Sequence, residues 1–261
     1  MCGRFGLADP RRLAHSATLR LLNVATVAAG VPDPLPPRFN IAPTTPVLAA
    51  LDLRRAGAMR RTLAMLRWGM VPRWADDAAI GNRLANARAE TVADKPSFRE
   101  AWARGQRCAI LADVFYEWQD TGDAAADPRN GDPGTTGRRL VRRQARAAKQ
   151  PWALALADRE PFAFAGLWER WRDPRTPDAA PLVTCTIITT TPSTLVAPIH
   201  DRMPAILTGD ALAEWVDRDT PPAAAHRLLR PHPAGSMDAW RIDTRINAPA
   251  NDAPEMLLRI A

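Results

Sequence analysis

The sequence predicts an α+β fold, a single domain spanning residues 1–261 around a largely antiparallel β-sheet with helices at its periphery. Strand-like segments outnumber helical ones along the chain. Many of these strands follow one another without the helical crossover that a parallel neighbour requires. Neither an internal repeat nor a convincing linker interrupts the sequence, so one domain is expected.

The first hundred residues are expected to begin with a helix and to continue with a hairpin. Asp9 can cap a helix in DPRRLAHSATLRLLNVA, where Pro10 fits the first turn. The proline-rich VPDPLPPRFNIAPTTP predicts an extended, irregular loop. Two strands are expected next, in TPVLAALDL and RRTLAMLRWGMV, joined as a hairpin. Pro96 and Gly105 then open and close a short helix in KPSFREAWARG.

Strands dominate the rest of the chain. RCAILADVFYEW predicts one strand, and it is followed by an insertion at about residues 120–148, whose low-complexity sequence predicts a mobile or disordered loop. Further strands are expected in PWALAL, FAFAGLWERW, LVTCTIITT and RMPAIL, with a short helix in TPSTLVAPI. GDALAEWVD and PPAAAHRLLR predict helices, and WRIDTRI predicts a late strand.

The charge of the chain gives limited support to a nucleic-acid partner. The net charge is +7 and the sequence pI is about 10.4, which suits a polyanionic partner. Only Lys95 and Lys149 are lysines among 35 basic residues, however, and the chain holds 25 prolines. Such an arginine and proline bias also follows from GC-rich coding, so charge alone supports DNA binding only weakly.

Several classes of protein and site are excluded by what the sequence lacks. No apolar run approaches the ~20 residues of a membrane span, and the N-terminus lacks the layout of a signal peptide. Three scattered cysteines without a CxxC pair predict reduced thiols in the cytoplasm, and the four histidines have no metal-ligand spacing. Because GxGxxG, Walker, GxSxG and HExxH motifs are missing, neither a nucleotide cofactor nor a catalytic metal is expected.

The chain begins MCGRF, with a cysteine directly behind the initiator methionine. Methionine aminopeptidase removes the first residue when the second is small, which would make Cys2 the new N-terminus. An α-amine titrates near ~7.7–8.0 and a thiol near ~8.5, so one residue would then offer two nucleophiles on neighbouring carbons. From Cys2 alone, an accidental cysteine in a frayed terminus is an equal alternative.

Polar residues lie among aromatic residues and glycines in otherwise ordinary segments: Asn40 and Pro43 in RFNIAPT, Trp68 in LRWGMVPRW, Asn86, Arg88 and Glu90 in NARAET, Glu117 in FYEW, and His200 and Arg202 in HDRMP. The alternate positions in NARAET put its three polar side chains on one side of an extended backbone.

Each of these residues also has a purely structural interpretation. Trp68 suits a hydrophobic core, and Glu117 suits a structural ion pair with an arginine. His200 can cap a preceding helix, and NARAET can be the solvated face of a strand.

The ordered set of motifs resembles one family. MCGRF, RFNIAPT, WGMVPRWA, NARAET, KPSFR, FYEW, AGLWERW, IITT and HDRMP occur in the order found in the SOS response-associated peptidase (SRAP) family, whose members crosslink to abasic sites in single-stranded DNA. The resemblance runs from Cys2 to about Leu207. It implies an SRAP-like fold with a barrel-like sheet, and a monomer that acts in the DNA damage response in the cytoplasm, associated with the nucleoid when bound to DNA.

The chemistry that the resemblance implies uses both nucleophiles of Cys2. Its α-amine would condense with the ring-opened aldehyde of an abasic deoxyribose, and its thiol would then close on the imine carbon to give a thiazolidine. The second attack is intramolecular and therefore has a high effective molarity. The implied partner is single-stranded DNA containing abasic sites, with no membrane and no nucleotide cofactor involved.

The resemblance also assigns roles to matching residues. Glu117 would shuttle protons during Schiff-base formation, His200 would assist sugar ring opening, and Asn86 would orient Cys2 and the sugar. The implied DNA-binding residues are Arg4, Asn40, Pro43, Trp68, Arg88, Thr189 and Arg202, of which the arginines suit phosphate oxygens.

The chain departs from the family pattern at four places. Val114 stands where glycine is usual in ADGFYEW, so Glu117 would be displaced if that position needs positive φ. Leu111 replaces a proline, Thr45 replaces a glutamine, and the insertion at about 120–148 replaces a short turn.

Three other functions compete with crosslinking. Cys2, Glu117 and His200 could instead serve a cysteine-type peptidase or the autoproteolytic removal of Met1. Glutamine amidotransferases with an N-terminal nucleophile also begin MCG, but this chain lacks the segments that hold glutamine in those enzymes. A DNA-binding module without covalent chemistry is the third alternative.

Overall fold

The computed structural model describes residues 2–55, 58–122 and 149–260. Within them the strands are β1 (Arg4–Leu7), β2 (Thr26–Val27), β3 (Arg38–Ile41), β4 (Pro46–Arg55), β5 (Ala58–Trp68), β6 (Asn86–Arg88), β7 (Arg107–Ala112), β8 (Val114–Asp120), β9 (Lys149–Leu156), β10 (Phe162–Trp171), β11 (Leu182–Thr190), β12 (Met203–Pro204), β13 (Ile206–Leu207) and β14 (Met237–Arg241). The α-helices are α1 (Pro10–His15), α2 (Ala17–Leu22), α3 (Arg99–Ala103), α4 (Gly209–Val216) and α5 (Pro222–Arg227).

Five strands close into a barrel. β11, β10, β7, β4 and β5 are antiparallel neighbours in that order. β11 then pairs with β5 in parallel, through Thr184 with Arg67 and Cys185 with Trp68, which completes the ring. The expected α+β class with a barrel-like, largely antiparallel sheet is confirmed.

A second antiparallel sheet, ordered β14-β9-β8-β1-β3, contributes side chains to the core inside the barrel. Phe5 from β1 contacts Phe164 of β10 edge to face at a centroid distance of 5.3 Å, and Phe115 of β8 contacts the same ring. Burying each such side chain stabilises the fold by about 1.5–3 kcal/mol. This packing brings the first strand of the chain, and Cys2 before it, against the barrel.

The barrel strands are apolar on both faces because helices cover their outer surface. On β4, Val47, Ala49 and Leu51 belong to the inner core, whereas Leu48 and Ala50 belong to a cluster shared with α2, α4 and α5. Such strands read as continuous apolar runs without a clear alternation.

Some elements differ from the sequence-based expectations at their boundaries. The first predicted helix is two helices, because Ser16 leaves the helical conformation and its Oγ accepts from the Leu19 N–H to cap α2. RCAILADVFYEW is two strands in different sheets, separated at Asp113. The Asp113 carboxylate accepts from the N–H groups of Ala8 and Asp9, which fixes this corner.

The C-terminal half differs in three further places. TPSTLVAPI forms turns instead of a helix, and RMPAIL is divided into β12 and β13. The last strand, β14, ends at Arg241, and the following DTRI segment enters a 3₁₀ turn over Thr244–Asn247.

The ends of β8 and β9 meet at the site of the insertion. Asp120 pairs with Lys149 in the strand register, and their side chains form an ion pair at 3.1 Å. Residues 123–148, to which the expectation of a mobile loop mainly applies, lie outside the described residues. No helix in the described ranges has both the length and the apolar character needed to cross a membrane.

Candidate active site

Cys2 lies in the interior where β1 meets the barrel. The residue is 0% exposed, and its carbonyl accepts a hydrogen bond from Asn86 Nδ2 at 2.9 Å. Asn86 opens β6, which runs parallel to β11 and pairs there with Ile187. A residue near the end of the chain is therefore anchored by a strand that follows it by more than eighty positions.

Glu117 brings a buried carboxyl to the same place. It lies on β8 and is 1% exposed, and burial raises its pKa to about 8. Burial, and next the charge of Glu117, raises the pKa of the Cys2 thiol well above its ordinary value. The two side chains are thus close enough to affect each other, and at neutral pH both favour their protonated forms.

His200 completes the cluster from the segment before β12. Its Nε2 lies 3.8 Å from Glu117 Oε2, and its Nδ1 accepts from the Arg202 N–H at 3.0 Å. Asp201 Oδ1 also approaches Nδ1, at 2.9 Å. Burial lowers the pKa of His200, and Asp201 opposes that shift. The imidazole is therefore neutral near pH 7, with one nitrogen directed at Glu117.

The four residues assigned to catalysis by resemblance thus lie together around the Cys2 end of the barrel: Cys2, Asn86, Glu117 and His200. Asn86 Oδ1 is buried without a hydrogen-bond partner, so it can still accept from a donor on Cys2 or on a ligand. Among the described residues, no three His, Cys, Asp or Glu side chains are grouped to hold a metal ion.

Asn40 is buried in this structure, whereas Arg4 is half-buried and bonded to the C-terminal segment. Arg4 donates to Asn40 Oδ1 at 2.8 Å and to the carbonyls of Ile246 and Asn247. Asn40 is 1% exposed, and its amide donates to three carbonyls, those of Ile246, Ala248 and Asn251. Direct DNA contact by Asn40 does not fit this geometry, which instead ties the C-terminal segment to β1 and β3.

Trp68 and Thr189 are also too deeply buried for the DNA contacts that the resemblance assigns to them. Trp68 is 0% exposed, its Nε1 donates to the Ala85 carbonyl at 2.8 Å, and its ring packs edge to face on Phe5. Thr189 is likewise 0% exposed and donates to the Ala87 carbonyl. Trp68 therefore belongs to the hydrophobic core, which confirms its structural interpretation.

Arg202 already has an anionic partner. Its guanidinium makes a two-pronged ion pair with Glu90, at 2.7 and 2.9 Å, and also donates to the Thr189 carbonyl. A phosphate would have to replace Glu90, so in this structure Arg202 positions the His200 segment. Arg88, by contrast, is exposed on β6, and Pro43 is partly exposed.

Two residues around the cluster, Glu90 and Asp201, and the exposed Trp74 were not identified from the sequence as site residues. Glu90 holds Arg202, and Asp201 contacts His200. The alternation of Asn86, Arg88 and Glu90 was the available signal for Glu90, since the intervening Ala87 and Ala89 are buried. Trp74 is 53% exposed, in contrast to Trp68, and its position between loop residues was the signal for an accessible ring.

Val114 does not displace Glu117. Its φ is not positive, and it pairs with Gly6 in the regular register of β1 and β8. A Cβ at Gly6 would lie 2.8 Å from Val114 Cγ1, so the valine fills the space that this glycine leaves. Two other residues differ from the family pattern. Leu111 is buried in the cluster between the barrel and the helices α2, α4 and α5, and Thr45 Oγ1 donates to the Ala42 carbonyl.

Comparison with known proteins finds relatives that match most of this chain at more than 30% identity. YoqW of Bacillus subtilis, described as an abasic site processing protein, is 40% identical over 222 residues, which cover 85% of each chain. YoaM of the same bacterium, with the same description, is 36% identical over 259 residues, 98% of this chain and 97% of that protein. The abasic site processing protein HMCES of Gallus gallus is 32% identical over 248 residues, 86% of this chain and 66% of that protein.

Solved structures show the same fold. A protein from Bacteroides thetaiotaomicron superposes with a TM-score of 0.69 over 100% of this chain and 98% of that chain, at 22% identity. A phage-related protein from Bordetella bronchiseptica superposes with a TM-score of 0.60 over 93% and 95% of the two chains, at 27% identity. The model of one family, SOS response associated peptidase (SRAP), matches residues 1–249. The chain therefore belongs to the SRAP family.

Proposed function

We propose that this protein processes abasic sites in single-stranded DNA by forming a thiazolidine crosslink through Cys2 once Met1 has been removed. The observation that carries the proposal is the placement of Cys2 beside Asn86, Glu117 and His200. Relatives described as abasic site processing proteins support the choice of substrate. The proposal places the activity in the cytoplasm, in a monomer that associates with chromosomal DNA.

The first step joins the Cys2 amine to the sugar aldehyde. His200 Nε2–H donates its proton to the ring oxygen O4′ and takes up the proton of the C1′ hydroxyl as the C1′–O4′ bond breaks, which exposes the aldehyde. The amine adds to this carbon and gives a carbinolamine. Glu117, protonated because burial raises its pKa to about 8, then donates a proton to the hydroxyl, which leaves as water and gives the protonated imine, an iminium ion.

The second step closes the ring without any change of oxidation state. Glu117 is now a carboxylate and takes the proton from the Cys2 thiol, whose high pKa otherwise keeps it a poor nucleophile. Sulfur attacks the iminium carbon and the C=N π pair moves to nitrogen, which becomes a neutral secondary amine. Glu117 keeps the thiol proton and so returns to its starting form. The attack is intramolecular, so the loss of entropy is small. Two bonds to the sugar carbon make the product stable.

DNA would approach the cluster over exposed residues. Arg88 follows Asn86 by two positions and is the accessible phosphate contact among the arginines assigned by resemblance. Pro43 is partly exposed and would help to shape the groove. Contacts of this kind carry no base sequence information, so binding at any sequence is expected.

Cys2→Ala tests the proposal. Alanine is small, so Met1 removal is retained and an amine still reaches the aldehyde. That amine can form an imine but has no thiol to close the ring. Incubation with an abasic oligonucleotide should therefore give a transient adduct that borohydride traps and that decays with strand cleavage. The wild-type protein should give a heat-stable adduct and an intact strand, measured by intact mass and gel.

Other outcomes would contradict the proposal in distinct ways. A purified protein that retains Met1 throughout would remove the amine from the mechanism. The same stable adduct with wild type and Cys2→Ala would identify another nucleophile. A shift of DNA mobility without any adduct would leave only a noncovalent binder.

The same residues give a second candidate, hydrolysis of a peptide bond next to Cys2. Glu117 and His200 lie where they could protonate a leaving amine, and the family description includes peptidase activity. In cell-free synthesis without methionine aminopeptidase, autoproteolysis predicts that wild type loses Met1 and that Glu117→Gln retains it. Retention of Met1 by both proteins would exclude this activity.

A further inference from the structure

A cleft separate from the Cys2 cluster lies at the end of the barrel where β10 ends and β11 begins. It has a volume of about 710 Å³, within the range of small-molecule sites. Its walls come from β4, β5 and β10, from Gln106 just before β7, and from residues that follow β5, β10 and α4. None of its lining residues belongs to the Cys2 cluster, and the function proposed above leaves this cleft unexplained.

The floor of the cleft presents two hydrogen-bond acceptors. Glu169 is 2% exposed, and its Oε1 accepts from Gln106 Nε2 at 3.3 Å and from the Arg170 N–H at 2.9 Å. Arg104 Nη1 lies 4.0 Å from its Oε2, beyond hydrogen-bond distance, and the charges of Arg73 and Arg104 both act on this carboxylate. Gln106 is 9% exposed, and its Oε1 is buried without a hydrogen-bond partner. A buried acceptor of this kind is costly unless a ligand donor reaches it.

The rim of the cleft is cationic. Four of its lining residues are arginines: Arg73, Arg170, Arg172 and Arg218. The one acidic residue besides Glu169 is Asp52, which is neutralised by an ion pair with Arg61 at 2.7 Å. Within the described ranges, neither Arg73 nor Arg170 donates a side-chain hydrogen bond to another residue. Arg73 interacts with the Glu169 carboxylate through its charge alone, so the N–H donors of both guanidinium groups remain available to an anionic group.

We propose that this cleft is a binding site for a guanine nucleotide, either free or at the 5′ end of a DNA strand. The acceptors on the floor require a head group with two adjacent donors, and the rim requires an anionic tail. Guanine offers N1–H and N2–H₂ side by side, whereas adenine and cytosine place a ring acceptor beside their amino group. Leu53, Met59 and Trp168 supply the apolar wall for a planar ring.

The test measures binding of GMP, AMP and inorganic phosphate to the full-length protein by calorimetry. GMP is expected to bind at least tenfold more tightly than AMP, and phosphate more weakly than either. Equal affinity for GMP and AMP, phosphate binding as tight as GMP, or no binding of GMP would overturn the proposal. Competition with 5′-phosphorylated oligonucleotides distinguishes a free guanine nucleotide from a guanosine at the 5′ end of a DNA strand. Displacement of GMP by a strand that starts with guanosine, but not adenosine, identifies DNA, and its absence identifies the free nucleotide.

Two variants connect the binding to the cleft. In Glu169→Gln, the side-chain carbonyl can still accept from Gln106 and Arg170. The amide N–H₂ then stands in place of Oε2, so a donor replaces the acceptor proposed to bind guanine. This variant should therefore lose the preference for GMP over AMP. The double variant Arg73→Ala, Arg170→Ala changes exposed side chains and should weaken GMP binding at least tenfold, even if Glu169→Gln fails to fold. Arg11→Ala, an exposed arginine on α1, is the matched control and should bind as wild type does. Wild-type affinity in the double variant would refute the assignment.

Discussion

At the scale of single residues, the chemistry of the site depends on one buried carboxyl. Glu117 is held in a strand, away from solvent, beside a thiol and an imidazole. In water a glutamate would be ionised at neutral pH and could not donate a proton. Burial reverses this, since the pKa rises to about 8.

Glu117→Gln should slow crosslinking about 10²–10⁴-fold and leave DNA affinity within a few-fold, because only proton transfer is lost. Single-turnover kinetics measure the rate. In wild type, the rate should fall as the pH rises through about 8, where Glu117 loses its proton, and this decline should be absent from the variant.

Asp120→Asn, on the same strand but exposed, is the control and should react as wild type does. Unchanged kinetics in Glu117→Gln would show that this carboxyl takes no part in the reaction.

Asn40 gives a second prediction at this scale. Asn40→Ala removes an amide whose two N–H donors are shared by three carbonyls of the C-terminal segment, and one acceptor for Arg4, so the free energy of unfolding should fall by about 2–4 kcal/mol. Urea titration measures this loss, with Asn82→Ala at an exposed position as the control. DNA affinity of the folded variant should stay near that of wild type. A loss of affinity without a loss of stability would instead assign Asn40 to the DNA interface.

At the scale of elements, the β8–β9 hairpin carries both Glu117 and the insertion. The strands stay paired as far as Asp120 and Lys149, so the register that places Glu117 opposite Trp152 is set within the hairpin itself. Val114, packed over Gly6, holds the other end of β8 against β1.

Replacing residues 121–148 by Asn-Gly should therefore leave the crosslinking rate within a few-fold, because a two-residue turn suits an antiparallel pair. Rate and unfolding free energy are both measured, to separate catalysis from stability. Loss of crosslinking in a variant that remains folded would show that the insertion takes part in DNA binding.

At the scale of the whole molecule, the excess of positive charge should govern association with DNA. The net charge is +7, and the site residues that remain accessible to DNA include Arg88. Arginine contacts to phosphate release counterions, so affinity falls with salt and does not depend on base sequence.

Fluorescence anisotropy with single strands of different sequence, at several salt concentrations, tests this expectation. Arg88→Ala should weaken binding similarly for all sequences and reduce the slope of log affinity against log salt by about one. Arg11→Ala on the exposed face of α1 should leave the slope unchanged. An unchanged slope in Arg88→Ala would remove this residue from the phosphate contacts.

The fold class, the family and the residues of the Cys2 cluster follow from the amino-acid sequence alone. Cys2, Asn86, Glu117 and His200 belong to short ordered motifs, and residue type together with order is visible without coordinates. Most strands could also be predicted, because runs of apolar, β-branched residues and the turns between them are properties of short sequence segments.

Which polar and aromatic residues face inward depends on long-range packing and could not be inferred from the sequence. Trp68 is enclosed because the second sheet contributes Phe5 to the barrel core. Arg202 forms an ion pair with Glu90, which is 112 positions away in the chain. The acceptors of Gln106 and Glu169 likewise meet only when β7 pairs with β10. Whether a residue is buried or ion-paired depends on contacts with residues that are distant in the sequence. A short motif specifies only the residues next to it in the chain, so it cannot predict those contacts.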